Sequence, residues 1–286
     1  MIQNLATQYP IHTLCRVLDV SRSAYYQWRK RPLSRRAQAN QHLLQQIQQA
    51  FVQSRQTYGS PRITHQLRRQ QITCSKNRIA RLMRAARLQA RSKHPFRPRT
   101  TDSRHDQGVA PNWCARCPAP AASNQIWVAD ITYIHTLTGW AYLAAVMDLH
   151  SRKIVGWAIG YSLQASLVQT ALQQALTHRR PAAGLIHHSD RGVQYASNAF
   201  RSLLQSHQIT PSMSATGYCY DNANMESFWS TLKCELIQNH SYHDLFQARS
   251  AIFEYIEVFY NRQRLHSAIG YHSPVEFEQI PSTSNS

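Results

Sequence analysis

Apolar residues recur at helical spacing through the first ninety positions and at strand spacing only after position 124. Leu43, Leu44, Ile47, Ala50 and Phe51 share one face of a helix predicted over about 34–53, and a shorter helix over 20–28 follows Asp19, with Ser21 or Ser23 as its cap. Tyr58-Gly59-Ser60-Pro61 predicts another start, with Ser60 as N-cap, Pro61 at the first helical position, and Ile63 and Leu67 on the buried side. The stretch 71–74 breaks that helix. Ser75 caps the next, where Ile79, Leu82, Met83 and Ala86 recur. Helix, short turn, helix is the outline of a helix-turn-helix near 60–88. Residues 15–28 give a weaker signal of a second such unit.

Residues 91–123 lack periodicity and carry five prolines, so they read as a linker. From 124 the pattern changes. Runs over 125–135, 140–149 and 153–161, the first two joined by a Thr138-Gly139 turn, predict three meandering strands. A helix over 163–178, a strand over 183–188, a helix over 196–206, a strand over 209–214 and helices over 223–236 and 243–260 follow. The expected class is α/β: a mixed sheet flanked by helices, preceded by an all-α helix-turn-helix region. The expected organisation is 1–90, a basic helical DNA-binding region; 91–123, a linker; and 124–286, a catalytic core with a C-terminal helix and tail.

Charge sharpens the division. The first 100 residues hold 20 Lys and Arg against one acid, Asp19, whereas the remainder holds 12 against 13. An excess confined to one third, within folded helical patterns, points to a polyanion partner, nucleic acid rather than membrane. On the second helix of the unit, Lys76, Arg78, Arg81 and Arg84 lie outside the apolar stripe. With Arg62 and Arg68 on the preceding helix, they are the candidate DNA contacts. No apolar run reaches a bilayer span, and residues 1–10 lack the pattern of a secretory signal. The six cysteines read as reduced thiols, and the expected location is the bacterial cytoplasm, with the nucleoid. Cys114 and Cys117 form a lone Cys-x-x-Cys, and with His94 and His105 poorly spaced they read as ordinary thiols rather than a zinc site.

Few acids remain in the second part, and three stand out. Asp130 interrupts an apolar strand, where a charge is costly unless paired or metal-bound. Asp190 follows a strand directly, at the carboxyl end where open α/β sheets place their sites. Glu226 sits at the edge of the stripe Met225, Phe228, Trp229, Leu232 and Leu236, with Lys233 two turns on along its own face. Taken singly, each acid reads as a cap, a buried partner or a surface charge; spacing does not by itself bring them together. A set of three carboxylates without Cys or His favours Mg²⁺ or Mn²⁺, and two such ions about 3.5–4 Å apart serve phosphoryl transfer.

The blocks Trp127-Val128-Ala129-Asp130-Ile131-Thr132-Tyr133, His188-Ser189-Asp190-Arg191-Gly192 and Asp221-Asn222-Ala223-Asn224-Met225-Glu226-Ser227-Phe228 resemble those of the DDE transposase and retroviral integrase core. The 35 residues between Asp190 and Glu226, and Lys233 seven beyond Glu226, match that superfamily. Tyr260-Asn261-Arg262, His266-Ser267 and Ser273-Pro274-Val275-Glu276-Phe277 resemble the tail of bacterial insertion-sequence transposases. Tyr58-Gly59-Ser60-Pro61-Arg62-Ile63 resembles the helix-turn-helix of the insertion-sequence-three family.

The resemblance implies a ribonuclease-H-like core. Asp130, Asp190 and Glu226 would bind two Mg²⁺ ions, with Mn²⁺ able to substitute, and Lys233 would contact the DNA backbone. It implies cleavage by water at the element's end, then in-line attack by the freed 3′-hydroxyl. Its partners would be double-stranded DNA, both terminal inverted repeats and target, with an oligomer assembled on it. Family members are usually frameshift fusions whose upstream frame adds a further helix-turn-helix and a leucine zipper. This chain, without a heptad zipper, resembles the downstream-frame product, so an upstream-frame partner or fusion is expected. The alternative is a DNA-binding regulator without catalysis; a third reading is a nuclease of the same fold.

The remaining candidates have plainer readings. Of His187 and His188, one is expected to face the core and the other the site. Asp148 is expected to bond a turn, and Asp221 to cap the following helix. Trp127, Trp140 and Trp157 are expected in the core. Tyr218 and Tyr220 are equally readable as packing groups or as platforms for an unpaired base.

Overall fold

The computed structural model describes residues 1–91, 110–114, 118–214 and 222–281. His94, His105, Cys117, Tyr218, Tyr220 and Asp221 lie outside the described residues.

Six helices come first: α1 (Ile2–Leu5), α2 (Ile11–Val17), α3 (Arg22–Lys30), α4 (Arg35–Gln53), α5 (Ser60–Arg69) and α6 (Lys76–Ala85). Serines start three of them as expected. Ser21, Ser34 and Ser75 each accept a hydrogen bond from the backbone N–H three residues on, satisfying a donor that the first turn leaves open. At α5 the helix begins one residue earlier than the pattern indicates. Gly59 takes the N-cap position, and the Ser60 carbonyl accepts from Thr64 Oγ1 at 2.6 Å. Helices α1–α3 bury Ile2, Leu14, Cys15 and Tyr25 in a small core of their own.

The sheet contains β1 (Ile126–Thr136), β2 (Gly139–Asp148), β3 (Ile154–Gly160), β4 (Ile186–Ser189) and β5 (Thr210–Met213) in the order β3-β2-β1-β4-β5. The first three strands form the antiparallel meander, and β4 and β5 add in parallel beyond β1. This is the ribonuclease-H-like arrangement. Helix α7 (Ala165–Arg179) covers one face with α8 (Val193–Ala196) and α9 (Asn198–Ser206); α10 (Ala223–Glu235) and α11 (Leu245–Phe253) pack on the other. The contact of α7 with β3 is so close that a Cβ on Gly156 would lie 2.2 Å from the Ala171 carbonyl oxygen. The helix expected over 196–206 is α9, which starts two residues later because Ser197 is extended and caps it; the short turn α8 precedes it. Beyond α11 the chain widens into π turns over Glu254–Tyr260, which bury Tyr255, Ile256, Phe259 and Tyr260 together, and ends in α12 (Pro274–Gln279), started by a Ser273–Glu276 capping box.

β3 lies at the sheet edge, and side chains occupy part of its open backbone. The Asn261 amide accepts from Ile154 N at 3.0 Å and donates to Ile154 O at 2.9 Å. Gln174 Oε1 accepts from Trp157 N at 2.6 Å. Asp148 bonds the turn as expected, accepting from His150 N and Ser151 N. Trp127 and Trp157 are buried, but Trp140 is 50% exposed and packs edge-on against Tyr133 and His135. It sits at the start of β2 near the hairpin turn, at the margin of the sheet.

The helical region is docked on the C-terminal part of the chain. Tyr58 Oη accepts from Leu265 N at 2.7 Å, Arg69 reaches both Glu276 oxygens at 3.1 Å, and His65 stacks on Tyr271 at 3.7 Å. Helices α4–α6 thereby share one apolar core with α10 and the tail.

Candidate active site

Parallel pairing places two of the carboxylates. Ile126, Trp127 and Val128 pair with Ile186, His187 and His188. The same offset carried two residues further sets Asp190 across from Asp130. Both line one small cleft with Thr132, Tyr133, Tyr142 and Gln194. Asp130 Oδ1 accepts from Ile131 N at 2.8 Å, and Asp190 Oδ1 accepts from Gly192 N at 2.9 Å.

The third carboxylate arrives on α10. Asn222, just ahead of that helix, donates to the Ala129 carbonyl at 3.2 Å, and Trp229 Nε1 donates to Asp130 Oδ2 at 3.0 Å. Glu226 is one turn before Trp229 and exposed, on the side of α10 that faces β1. Asp190 and Glu226 both act on Asp130 electrostatically. Burial first, then Asp190 and more weakly Glu226, push its carboxyl up to about 7 against the pull of the Ile131 and Trp229 N–H groups. Glu226 is not among the cleft-lining residues, and among the described residues no three His, Cys, Asp or Glu side chains are gathered closely enough to hold a metal ion as they stand. The donors are hard oxygen ligands, and Asp130 has two negative neighbours, Asp190 and Glu226, which suits a divalent cation.

Lys233 lies over the Tyr133 ring at 4.6 Å, on the Glu226 side of α10. Burial lowers its pKa, against the attraction of Asp130. Both histidines are buried, contrary to the expected division. His187 packs against Tyr195 and Phe200, and His188 bridges Ser212 Oγ and Ser214 Oγ at 2.9 and 3.1 Å. Neither lines the cleft, so the site-facing position expected of one of them is not found.

The basic candidates separate into two groups. Lys76, Arg81 and Arg84 on α6 and Arg68 on α5 are exposed, although Arg68 also reaches the Cys74 carbonyl at 3.4 Å. Arg78 is half-buried and donates to Asn40 Oδ1 at 3.0 Å, and Arg62 turns over the Tyr58 ring toward the catalytic part. Sequence reading overlooked Trp229 as a partner of Asp130, Asn222 as the clamp on β1, and the buried Glu235–Arg264 pair. Trp229 was legible only as an apolar stripe residue; its N–H was the missed signal.

The chain shares 44% identity over 266 residues with the insertion element IS600 uncharacterized 31 kDa protein of Shigella sonnei, covering 93% of this chain and 97% of that one. It shares 39% over 279 residues with transposase InsF for insertion sequence IS3A of Escherichia coli, covering 97% and 96%. The chain belongs to the IS3 family of transposases. Integrase core domain families match this IS3-family transposase over residues 120–219 and 207–274, and an HTH-like domain family matches residues 38–96. The HTLV-2 integrase catalytic core domain in complex with magnesium is similar at 15% identity and a TM-score of 0.40, covering 55% of this chain and 97% of that one. Among the described residues no helix is long and apolar enough to cross a membrane.

Proposed function

We propose that this transposase cuts and joins DNA at the terminal repeats of an insertion element, with Asp130, Asp190 and Glu226 holding two Mg²⁺ ions. The observation that carries the reading is that Asp130 and Asp190 line one cleft while Trp229 ties the Glu226 helix to Asp130. Bound there, the ions supply activation of the attacking oxygen and stabilisation of the leaving one; Mn²⁺ has the same donor preference and substitutes.

The protein's residues supply position and charge. The Trp229 and Ile131 N–H groups fix the Asp130 carboxyl and favour its ionised, ligating form. Glu226 joins by side-chain rotation from an exposed position on a helix already anchored by Asn222. Lys233, held over Tyr133 beside the cleft, contacts the scissile strand's backbone. Exposed Lys76, Arg81 and Arg84 on α6, with Arg68, dock the duplex. Water attacks the terminal phosphodiester, and the freed 3′-hydroxyl then attacks a second strand in line, without a covalent protein link. Joining two ends requires an assembly on DNA, to which an upstream-frame product or fusion contributes. The site of action is the bacterial nucleoid.

Incubating the protein with terminal-repeat duplexes, with and without Mg²⁺, tests the reading. Strand transfer supports it; binding alone identifies a regulator, and hydrolysis without joining a nuclease. Asp190→Asn is expected to abolish chemistry and spare binding, and full activity in that variant overturns the site.

A further inference from the structure

Helix α10 has a second functional side. Glu226, Trp229 and Lys233 occupy the side toward β1, whereas Asn224, Ser227, Thr231 and Glu235 fall on the opposite side and line a cavity of about 260 Å³. Its other walls bring together four guanidinium groups from distant parts of the chain: Arg62 on α5, Arg91 beyond α6, Arg152 in the β2–β3 turn, and Arg264 in the tail.

The charges there do not balance. Glu235 is the carboxylate of the lining, and Arg264 takes it in a buried two-pronged pair at 2.7 and 2.9 Å, with Tyr255 Oη donating to it as well. Arg152 bonds a neutral group, the Asn224 amide oxygen, and Arg91 donates to the Glu235 carbonyl at 2.5 Å. Arg62 lies 5.6 Å from the Tyr58 ring centre. Among the described residues none of these three has a carboxylate ion-pair partner. The positive field is legible at two neighbours: burial and then Arg264 lower the Arg62 pKa against the weaker pull of Glu235, and His266, whose buried Nε2 has no hydrogen-bond partner among the described residues, is held neutral by burial and by Arg264, Arg62 and Arg152; Arg152 is lowered by burial alone, against Tyr260 and Asp148.

Partly desolvated like charges around a polar space are costly unless an anion joins them. Guanidinium groups converging from three directions, with the Ser227 and Thr231 hydroxyls on the facing wall, suit an oxyanion with several acceptors and more than one charge. A volume of about 260 Å³ accommodates such a group.

We propose that this cavity binds a phosphate group, at a site separate from the carboxylate cleft. The phosphate is either one of a DNA backbone or a free phosphate or pyrophosphate ion. Because the walls belong to the helix-turn-helix, the sheet, α10 and the tail, an occupied cavity fastens the DNA-binding region to the helix that carries Glu226.

The test uses the full chain in EDTA, so that it is independent of metal chemistry. Melting is followed against inorganic phosphate and pyrophosphate, with chloride holding ionic strength constant. For a free ion, saturation raises the wild-type melting temperature by roughly 5 °C. Arg62→Gln and Arg152→Gln lose the rise, Arg62→Lys keeps part of it, and Asp190→Asn keeps all of it. In chloride alone Arg62→Gln melts no lower than wild type, which separates lost binding from lost folding. For a DNA phosphate, the free ions produce no rise, and the salt slope of duplex binding becomes shallower by about 0.9 in Arg62→Gln. A rise that survives in both glutamine variants overturns the proposal, as does the absence of any rise together with an unchanged slope.

Discussion

Trp229 donates its indole N–H to Asp130 across the gap between α10 and β1, and by that bond a residue of the apolar stripe becomes a support of the candidate metal site. Removing the donor and keeping the ring's bulk, as in Trp229→Phe, leaves the Ile131 N–H as the remaining hydrogen bond opposing burial and the acidic neighbours, so the Asp130 pKa rises further above the value of about 7 it already has. The acid limb of Mg²⁺-dependent cleavage then moves to higher pH, and activity at neutral pH falls roughly tenfold, the scale of a hydrogen bond to a charged group. A pH–rate profile superimposable on that of wild type rules out this role for Trp229.

The raised Asp130 pKa also sets a sign for stability. The folded state favours the neutral carboxyl, so Asp130 contributes stability that is fully present below about 3.8 and lost as pH rises through about 7. In EDTA, Asp130→Asn is expected to melt above wild type at pH 8 and to converge with it toward pH 4. Adding Mg²⁺ at pH 8 should raise the wild type alone. Calorimetry across that range measures both effects.

Gly156→Ala places a methyl against the main chain of α7, where Ala171 O and Ala175 N lie 2.2 and 2.7 Å from the new atom. The contacts are α7 main chain and the Ala175 Cβ, with no flexible side chain to yield. A loss of roughly 3 kcal/mol or more in denaturant unfolding is expected, and a variant within 1 kcal/mol of wild type, as for an ordinary surface change, contradicts the packing.

Glu235→Gln leaves the Arg264 guanidinium buried without its counter-charge, in a pair whose side chains are only 5% and 7% exposed. Breaking one side of a buried pair costs roughly 3–5 kcal/mol, measurable by urea unfolding. The same change at Glu254, itself exposed although its partner Arg55 is half-buried, is expected to cost under about 1 kcal/mol.

Exposed Arg81 and Arg84 should behave as phosphate contacts. Each change to Ala is expected to weaken duplex binding and to reduce the slope of log affinity against log salt by about 0.9. Equal slopes in wild type and both variants place the DNA elsewhere.

Local chemistry made much of this structure readable. Serine caps and apolar spacing made α3, α4 and α6 legible, Pro61 the start of α5, and runs of β-branched and aromatic residues β1–β3, because each signal acts within a few residues. The α7–α10 side was legible for the same reason, except for the single turn α8 ahead of the Ser197 cap. The convergence of Asp130 with Asp190 required the parallel pairing of β1 with β4, which no spacing along the chain encodes. Trp140 and the histidine expected at the site were misjudged because burial depends on where the covering helices end. Arg62 was legible as a basic residue but not as a cavity wall, since its neighbours Arg152 and Arg264 come from far along the chain.

The amide of Asn261, lying against both main-chain atoms of Ile154, has a consequence for how the protein is made. A polypeptide terminated shortly before position 261 already possesses Asp130, Asp190 and Glu226, yet the Ile154 end of its outermost strand is uncovered. Such a product is prone to stack strand upon strand with its own kind. Premature termination in this region therefore yields insoluble protein rather than a shortened, uncontrolled DNA-cutting enzyme.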